Sequence, residues 1–142
     1  MLISTKGRYA LRVLIDLAEH RTGGYLPMKE IADRQEISPK YLERIMLQMS
    51  KAGLVDGAHG KGGGYRLTKE PADYSVLEIL RSAEDTLAPV ACLQGNMAGC
   101  EKASRCRTLP VWQKLDALIT GYLGSVTLAD LLQADAADEY VI

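Results

Sequence analysis

The sequence predicts a mainly α-helical fold with a small β wing and a long C-terminal helix. Three observations support this fold class. Apolar residues recur at helical spacing in several stretches between residues 4 and 132. A glycine-rich turn at residues 60–64 separates two short apolar segments, which is typical of a β-hairpin. Near the end of the chain, apolar residues step by four, three and four, as in the seam of a coiled coil.

The first helix is predicted from Ser4, whose hydroxyl can cap it, to about His20. After it, residues 21–24 form a turn, and Tyr25 with Leu26 can add a short strand beside the wing. The apolar stripe of this helix indicates that one face packs on a core, and it consists of Ala10, Val13, Leu14, Leu17 and Ala18.

A helix-turn-helix pattern follows. The second helix is predicted over residues 28–35 and the third over residues 39–52, where Ser38 is the cap and Pro39 stands at the first position, at which a missing N–H costs nothing. One face of the third helix is apolar and consists of Leu42, Ile45, Met46 and Met49. The other face carries groups that can touch phosphates and base edges, namely Ser38, Lys40, Tyr41, Glu43, Arg44 and Gln48.

The wing is predicted from two short strands, at residues 54–55 and 65–67, around the glycine-rich turn. Lys61 and Arg66 place positive charge on this hairpin. Two short amphipathic helices in a row are common, and most of them bind nothing. A flexible, basic hairpin beside them has little purpose in a merely structural role, so the combined pattern favours a winged helix-turn-helix domain that binds double-stranded DNA.

The C-terminal half contains a loop and then a long helix. Ser75 caps a short helix around residues 76–80, and residues 87–108 form a loop of a length that is unusual unless it is functional or mobile. The longer helix begins at Leu109. The predicted DNA-binding domain, which we call the head, has its own core. The simplest partner for the apolar seam of the long helix is therefore the same helix in a second chain, which predicts a homodimer. The alternative is that the helix packs on the head of its own chain. The seam consists of Val111, Leu115, Leu118 and Tyr122.

The predicted organisation therefore has four parts. Residues 1–86 form the winged helix-turn-helix DNA-binding domain, and residues 87–108 form a cysteine-bearing loop. Residues 109–134 comprise the dimerisation helix and a short following helix, which Thr127 and Asp130 start as a capping box. Residues 135–142 are an acidic tail that is expected to fray.

Charge is distributed unevenly between the two halves of the chain. The whole chain carries a net charge of −1. Residues 1–70 hold 12 basic and 8 acidic residues, whereas residues 71–142 hold 5 and 10, so the half with the helix-turn-helix is the basic one. This modest excess indicates a few positioned phosphate contacts. We expect a cytoplasmic protein with no membrane partner, because no secretory signal or membrane-spanning run is apparent.

All three cysteines, Cys92, Cys100 and Cys106, lie in the loop, and their odd number argues against a disulfide framework. Their spacing differs from the Cys-x-x-Cys pair of zinc knuckles and thioredoxins. Thiolates suit zinc or an iron–sulfur cluster, and the nearby basic residues Lys102, Arg105 and Arg107 favour thiolates. A redox thiol loop without metal competes with this interpretation.

Several stretches resemble one family of bacterial winged-helix regulators, the Rrf2 family, and in particular its IscR-like members that bind iron–sulfur clusters. These stretches are LISTKGRYALRVLIDLA, KEIADRQEISPKYLERI, KAGLV, GKGGGYRL and VTLADLL. The resemblance implies a homodimer that binds promoter DNA and holds an iron–sulfur cluster through Cys92, Cys100 and Cys106, with a 2Fe–2S cluster favoured over a 4Fe–4S cluster. It also implies that Glu43 helps the cluster state to select between promoter classes.

One departure concerns the fourth cluster ligand. IscR-like proteins supply a histidine three residues after the last cysteine, where this chain has Leu109. A residue of the partner chain, an open position filled by water or a small thiol, or a carboxylate can take that place, and the carboxylate candidates are Glu43, Glu84, Asp85 and Glu101. An incomplete protein ligand set would make a cluster labile, as a sensor of iron–sulfur, iron or redox status requires.

The alternative function is a regulator of the same fold without a cluster, which senses by thiol oxidation or by a small-molecule or protein ligand. A protein-interaction module that kept the fold and lost DNA binding is a further class. An enzyme has little support, because no nucleophile–base pair or phosphate loop is apparent and the wing glycines lack the ending Gly-Lys-Ser/Thr.

Overall fold

The computed structural model describes residues 3–93 and 106–134, so Cys100, Glu101 and the acidic tail lie outside the described residues. Short 3-10 turns occur at Pro71–Asp73 and Ala91–Leu93. Within the described ranges the regular elements are α1 (Thr5–Glu19), α2 (Met28–Gln35), α3 (Pro39–Lys51), β1 (Val55–Ala58), β2 (Gly64–Leu67), α4 (Val76–Ala83), α5 (Leu109–Ser125) and α6 (Leu128–Gln133).

The helix starts follow the predicted capping residues. The Ser4 hydroxyl accepts a hydrogen bond from the Gly7 N–H, and the Ser38 hydroxyl accepts one from the Tyr41 N–H at 3.2 Å. Ser75 caps α4 in the same way. At α6, Thr127 and Asp130 form a complete capping box, as predicted. Because each such cap is worth about 1 kcal/mol, the sequence sets these helix starts locally.

One hydrophobic core holds the head together. The helix α1 packs against α2, α3, α4 and α6, so it is the central element. Tyr74 is fully buried, and its hydroxyl donates to the Leu54 carbonyl at 2.6 Å while it accepts from the N–H groups of Thr68 and Lys69. The largest fully buried apolar side chains are Leu14, Leu17, Ile31, Leu42, Ile45, Met46, Met49, Leu54, Ile79 and Leu128.

The wing is a two-stranded antiparallel sheet in which Val55 pairs with Leu67 and Ala58 with Gly64. The predicted third strand is a single bridge, in which the Leu26 N–H donates to the Tyr65 carbonyl at 2.8 Å and the Tyr65 N–H donates back at 2.9 Å. The backbone of Gly64 has a φ of +141°, and a Cβ there would collide with the Leu26 carbonyl. Glycine at this position therefore lets the two backbones meet.

The helices α5 and α6 are attached to the head differently. α6 contributes Leu128 to the hydrophobic core, and the Val76 N–H donates to the Val126 carbonyl at 2.8 Å. Among the elements described, α5 packs mainly along α4, and none of its residues is buried. Its predicted seam is exposed, with Val111, Leu115, Leu118 and Tyr122 exposed by 57%, 39%, 56% and 68%. The long helix thus has an unpartnered apolar face in the single chain.

Candidate functional site

The helix α3 presents a polar stripe on the side opposite the core. Lys40, Glu43 and Arg44 are exposed there, because the apolar residues of the same helix take the inner face. Ser38 is also exposed, although its hydroxyl is engaged in capping. Four of the residues predicted to bind DNA come together around a shallow groove of about 250 Å³, which is lined by Ser38, Lys40, Tyr41 and Arg44.

The start of α3 is braced by α1. The half-buried ring of Tyr41 meets the ring of Tyr9 edge-on, at 5.8 Å between centroids. The guanidinium of Arg12 lies 4.8 Å from the centre of the Tyr9 ring and donates to the carbonyl of Gln35 at 2.7 Å. These contacts fix Tyr41 within the groove. They also engage the guanidinium of Arg12 in contacts within the protein.

The wing carries both of its predicted cations, in different surroundings. Lys61 is exposed at the turn between the strands. Arg66 is ion-paired with Asp56 at 3.2 Å and lies over the ring of Tyr25, 4.5 Å from its centre. The Tyr25 hydroxyl donates to the same carboxylate at 3.0 Å. A phosphate that bound Arg66 would therefore compete with Asp56.

A second cleft, of about 490 Å³, lies between α3 and the wing. Glu43 lines this cleft, whereas Ser38, Lys40, Tyr41 and Arg44 line the groove at the start of α3. Burial raises the pKa of the Tyr65 phenol in this cleft, and the nearby negative charge of Glu43 raises it further. Leu47, which our sequence reasoning missed, also lines the cleft and is 50% exposed. Leu47 lies outside the apolar stripe of α3 that includes Ile45 and Met49, so the sequence pattern alone could have indicated that this leucine is exposed.

Two of the three cysteines are within the described residues. Cys92 lies in the turn Ala91–Leu93 and Cys106 lies just before α5, and both are half-buried free thiols. The side chain of Thr108, 3.4 Å from the Cys106 sulfur, lowers the pKa of that thiol, and the backbone N–H groups at the start of α5 lower it further. A helix N-terminus favours the thiolate, which is the form that binds metals.

A metal site cannot be assembled from the described part of the chain alone, since no group of three or more His, Cys, Asp or Glu side chains there could hold a metal ion. Cys100 and Glu101 lie outside that part. The donor chemistry of Cys92 and Cys106 nevertheless fits an iron–sulfur cluster, which takes thiolate ligands.

Among the carboxylates considered as a fourth ligand, Glu84 has a defined partner. One of its carboxylate oxygens accepts hydrogen bonds from the backbone N–H and the hydroxyl of Ser4, both at 2.8 Å. Asp85 is exposed at the rim of a cavity of about 350 Å³ between α4, α5 and the start of the cysteine-bearing loop. Ligation by Glu84 would require it to release the start of α1.

Sequence comparison identifies relatives along nearly the whole chain. A family model described as "Rrf2: Iron-dependent Transcriptional regulator" matches residues 3–134. The transcriptional regulator IscR of Photobacterium profundum is 34% identical over 139 residues, which cover 98% of this chain and 80% of the relative. IscR of Photorhabdus laumondii is 37% identical over 132 residues, which cover 93% of this chain and 79% of the relative.

Solved structures agree with this result. CymR, the global cysteine regulator of B. subtilis, superposes with a TM-score of 0.75 at 34% identity, covering 95% of this chain and 99% of CymR. IscR of T. potens superposes with a TM-score of 0.74 at 37% identity, covering 97% of this chain and 91% of that one. These neighbours confirm the winged-helix fold with a C-terminal helix.

The relatives are regulators of transcription and not enzymes, which agrees with the absence of a recognisable catalytic motif in the sequence. No helix in residues 3–93 or 106–134 is long and apolar enough to cross a membrane. The winged-helix head, the match over residues 3–134 and the identities above together show that this chain belongs to the Rrf2 family of DNA-binding transcriptional regulators.

Proposed function

We propose that this protein is a homodimeric regulator that binds promoter DNA through α3 and the wing, and that a labile iron–sulfur cluster modulates its affinity or specificity. The observation that carries the DNA-binding part is the polar stripe of α3, which stands outside the core and beside a basic wing. The proposed contacts are Ser38, Lys40, Tyr41, Glu43, Arg44, Lys61 and Arg66.

These side chains have different roles in the proposed complex. Lys40, Arg44 and Lys61 are exposed cations that neutralise phosphates. Glu43 accepts only from a donor such as cytosine N4, so it disfavours base edges that offer acceptors alone. Arg66 divides its guanidinium between Asp56 and DNA, which makes its contribution smaller than that of Lys61.

The DNA-binding surface can be tested by the salt dependence of binding. A binding sequence is first selected from a random duplex library with the full-length protein, and Kd is then measured between about 50 and 200 mM KCl. Arg44→Ala and Lys61→Ala should each weaken binding and reduce the slope of log Kd against log salt by about 1, because each variant removes one phosphate contact.

The matched control is Lys114→Ala, since Lys114 is an exposed lysine of α5, away from α3 and the wing. It should leave the slope unchanged. A slope that stays at the wild-type value in both Arg44→Ala and Lys61→Ala would remove α3 and the wing from the proposed interface.

The cluster part rests on the family description as iron-dependent and on the donor chemistry of the cysteines. Cys92, Cys100 and Cys106 would hold the cluster, which when bound supplies a site that responds to oxygen, iron supply or redox state. The Cys106 thiol contributes a favoured thiolate. Binding of the cluster would bias the positions of α4 and α5, which flank the segment between Cys92 and Cys106.

The test is the visible absorption spectrum, with iron and sulfide analysis, of protein purified without oxygen. We expect a coloured wild-type protein and loss of iron and sulfide in each of Cys92→Ala, Cys100→Ala and Cys106→Ala. A colourless wild type that also resists reconstitution would reject the cluster. If that metal-free protein bound its DNA only when reduced, thiol oxidation would be the sensing mechanism, and the lowered pKa of Cys106 favours this second candidate.

A further inference from the structure

Leu47 is an apolar side chain on the exposed face of α3, whereas the other large apolar residues of that helix are buried. It is 50% exposed, and the other large hydrophobic side chains exposed among the described residues all belong to the seam of α5. A half-exposed leucine alone is ordinary on a protein surface. Here, however, it stands one turn after Glu43 on the same stripe, because residues four apart share a helix face.

The surroundings of Leu47 define what it can contact. The cleft that it lines has the wing on one side, through Gly57 and Ala58, and the start of α2 on the other, through Met28. Leu47 and Met28 give this cleft apolar walls next to the carboxylate of Glu43. The site therefore places the carboxylate of Glu43, a hydrogen-bond acceptor, beside an apolar surface.

The charge around the cleft indicates the occupant. Two carboxylates, Glu43 and Asp56, line the cleft itself, and Asp56 is ion-paired with Arg66. Exposed cations lie outside the lining, with Lys40 and Arg44 on the same helix as Leu47 and Lys61 on the turn of the wing. These cations fit the phosphates of DNA, which the proposed function places against α3 and the wing, so the occupant considered for the cleft is a base edge of that DNA. On DNA, the apolar group that a major-groove base edge presents is the C5-methyl group of thymine.

We propose that Leu47 is a specificity-determining residue that packs on the methyl group of a thymine in the major groove, beside the base edge that Glu43 contacts. This inference rests on the proposed docking of α3 in the major groove. It adds a preference for thymine to the selection that Glu43 makes by hydrogen bonding. Without Leu47 the protein should still bind DNA, because the phosphate contacts are made by other residues.

The experiment isolates the methyl group. In the selected duplex, each thymine is replaced in turn by deoxyuridine, which lacks the methyl group and keeps every hydrogen-bonding group. Binding of the wild type and of Leu47→Ala is then measured on each duplex. We expect one thymine per half-site at which uridine weakens wild-type binding about fourfold, as the loss of one buried methyl group implies.

The decisive result is whether the effect of Leu47→Ala in the protein and the effect of uridine in the DNA depend on each other. Leu47→Ala should bind the thymine duplex about as weakly as the wild type binds the uridine duplex, and uridine should then have no further effect. Leu47→Met keeps an apolar side chain, so it should keep the sensitivity to uridine. Lys114→Ala should behave as wild type. Circular dichroism of each variant shows that it is folded, as expected for an exposed position.

The inference is overturned if no thymine shows a uridine effect that depends on Leu47, or if the selected sequence contains no thymine within the half-site. Either result is distinct from a failure of the proposed function, which would appear as unchanged salt slopes in Arg44→Ala and Lys61→Ala. A uridine effect that is equal in the wild type and Leu47→Ala would assign the methyl contact to another residue and reject Leu47.

Discussion

Gly7 stands in the first turn of α1 against the carboxylate of Glu84. A Cβ at this position would collide with a carboxylate oxygen of Glu84 and would lie 3.2 Å from the Leu80 Cδ2. The same oxygen accepts both hydrogen bonds from Ser4, so the glycine makes room for a contact between residues 80 positions apart. The absence of a side chain at Gly7 is thus part of the attachment of α1 to α4.

We predict that Gly7→Ala destabilises the protein by about 1 kcal/mol. The displaced Glu84 loses its bonds to Ser4, which costs about 2 kcal/mol, and the higher helix propensity of alanine returns a part of this. In a Glu84→Ala background the same substitution should be neutral or stabilising. Urea denaturation of the four proteins in this cycle measures the effect, and equal costs in both backgrounds would contradict the assigned contact.

At the residue scale, the surroundings of Leu47 and Arg66 could not be predicted from the sequence. The basic character of the wing was predictable, but the ion pair of Arg66 with Asp56 joins two strands, and its geometry depends on their register. Leu47 was predictable in principle, because its position breaks the apolar stripe of α3. Its place in the cleft required the position of the wing, which the pattern of a single helix does not contain.

At the scale of elements, α1 and α2 are joined by an ion pair between the buried carboxylate of Asp16 and the partly exposed guanidinium of Arg34. The carboxylate of Asp16 is almost fully buried and accepts two hydrogen bonds from the guanidinium of Arg34, at 2.7 and 3.0 Å, and one from the Gln35 amide at 2.8 Å. Burial alone would raise the pKa of Asp16. The hydrogen bonds from Arg34 and Gln35, with the positive charge of Arg34, outweigh burial and lower it.

This pair predicts a dependence of stability on pH. Because the pKa of Asp16 is lower in the folded state, its ionised form adds stability above the unfolded value of about 3.9, and that stability is lost as the pH falls through the folded value. Asp16→Asn should lower the free energy of unfolding at pH 7 by about 2 kcal/mol, because it weakens the hydrogen bonds of a buried charged group while Arg34 stays partly exposed to water. The difference from wild type should shrink below about pH 4.

The control for this prediction is Asp33→Asn, since Asp33 is an exposed carboxylate on α2. It should change the free energy of unfolding little at any pH. Denaturant titrations of the three proteins at several pH values give the comparison, and a gap between wild type and Asp16→Asn that stays constant down to pH 2 would exclude the ionised pair as its source.

Element bounds were largely predictable, because caps and apolar periodicity are local properties of the chain. The predicted bounds of the first three helices match α1, α2 and α3 to within a residue, and Ser4, Ser38 and Thr127 cap as expected. The partner of Asp16 lies 18 positions away, and that of Glu84 lies 80 positions away. Such contacts depend on tertiary packing, so the spacing of residues did not reveal them.

At the scale of the whole molecule, the seam of α5 holds four of the five large hydrophobic side chains that are exposed among the described residues. Its four exposed residues form one apolar face, and such a face is typical of a surface that binds another protein. The proposed partner is the same helix of a second chain, which would place two copies of α3 around a two-fold axis and fit a palindromic site.

We predict that the wild type sediments as a dimer, with twice the 15.5 kDa mass of the chain, and that Leu118→Glu converts it to a monomer. A carboxylate in the centre of the seam would be buried without a partner, which is costly. The control is Lys114→Glu, which changes charge on the same helix outside the seam. Sedimentation equilibrium distinguishes the two outcomes, and a wild type that is monomeric at all concentrations would refute the dimer.

The backbone bridge between β2 and the residues before α2 has a consequence for how the DNA specificity of such a protein can change in evolution. Two backbone hydrogen bonds between Leu26 and Tyr65, together with the contacts of Tyr25 to Asp56 and Arg66, fasten the wing to the residues before α2. The lack of a Cβ at Gly64 permits the backbone pair. No side chain of the turn takes part in this fastening. Residues such as His59 and Lys61 can therefore be exchanged to suit a new operator while the hairpin keeps its place against the helices.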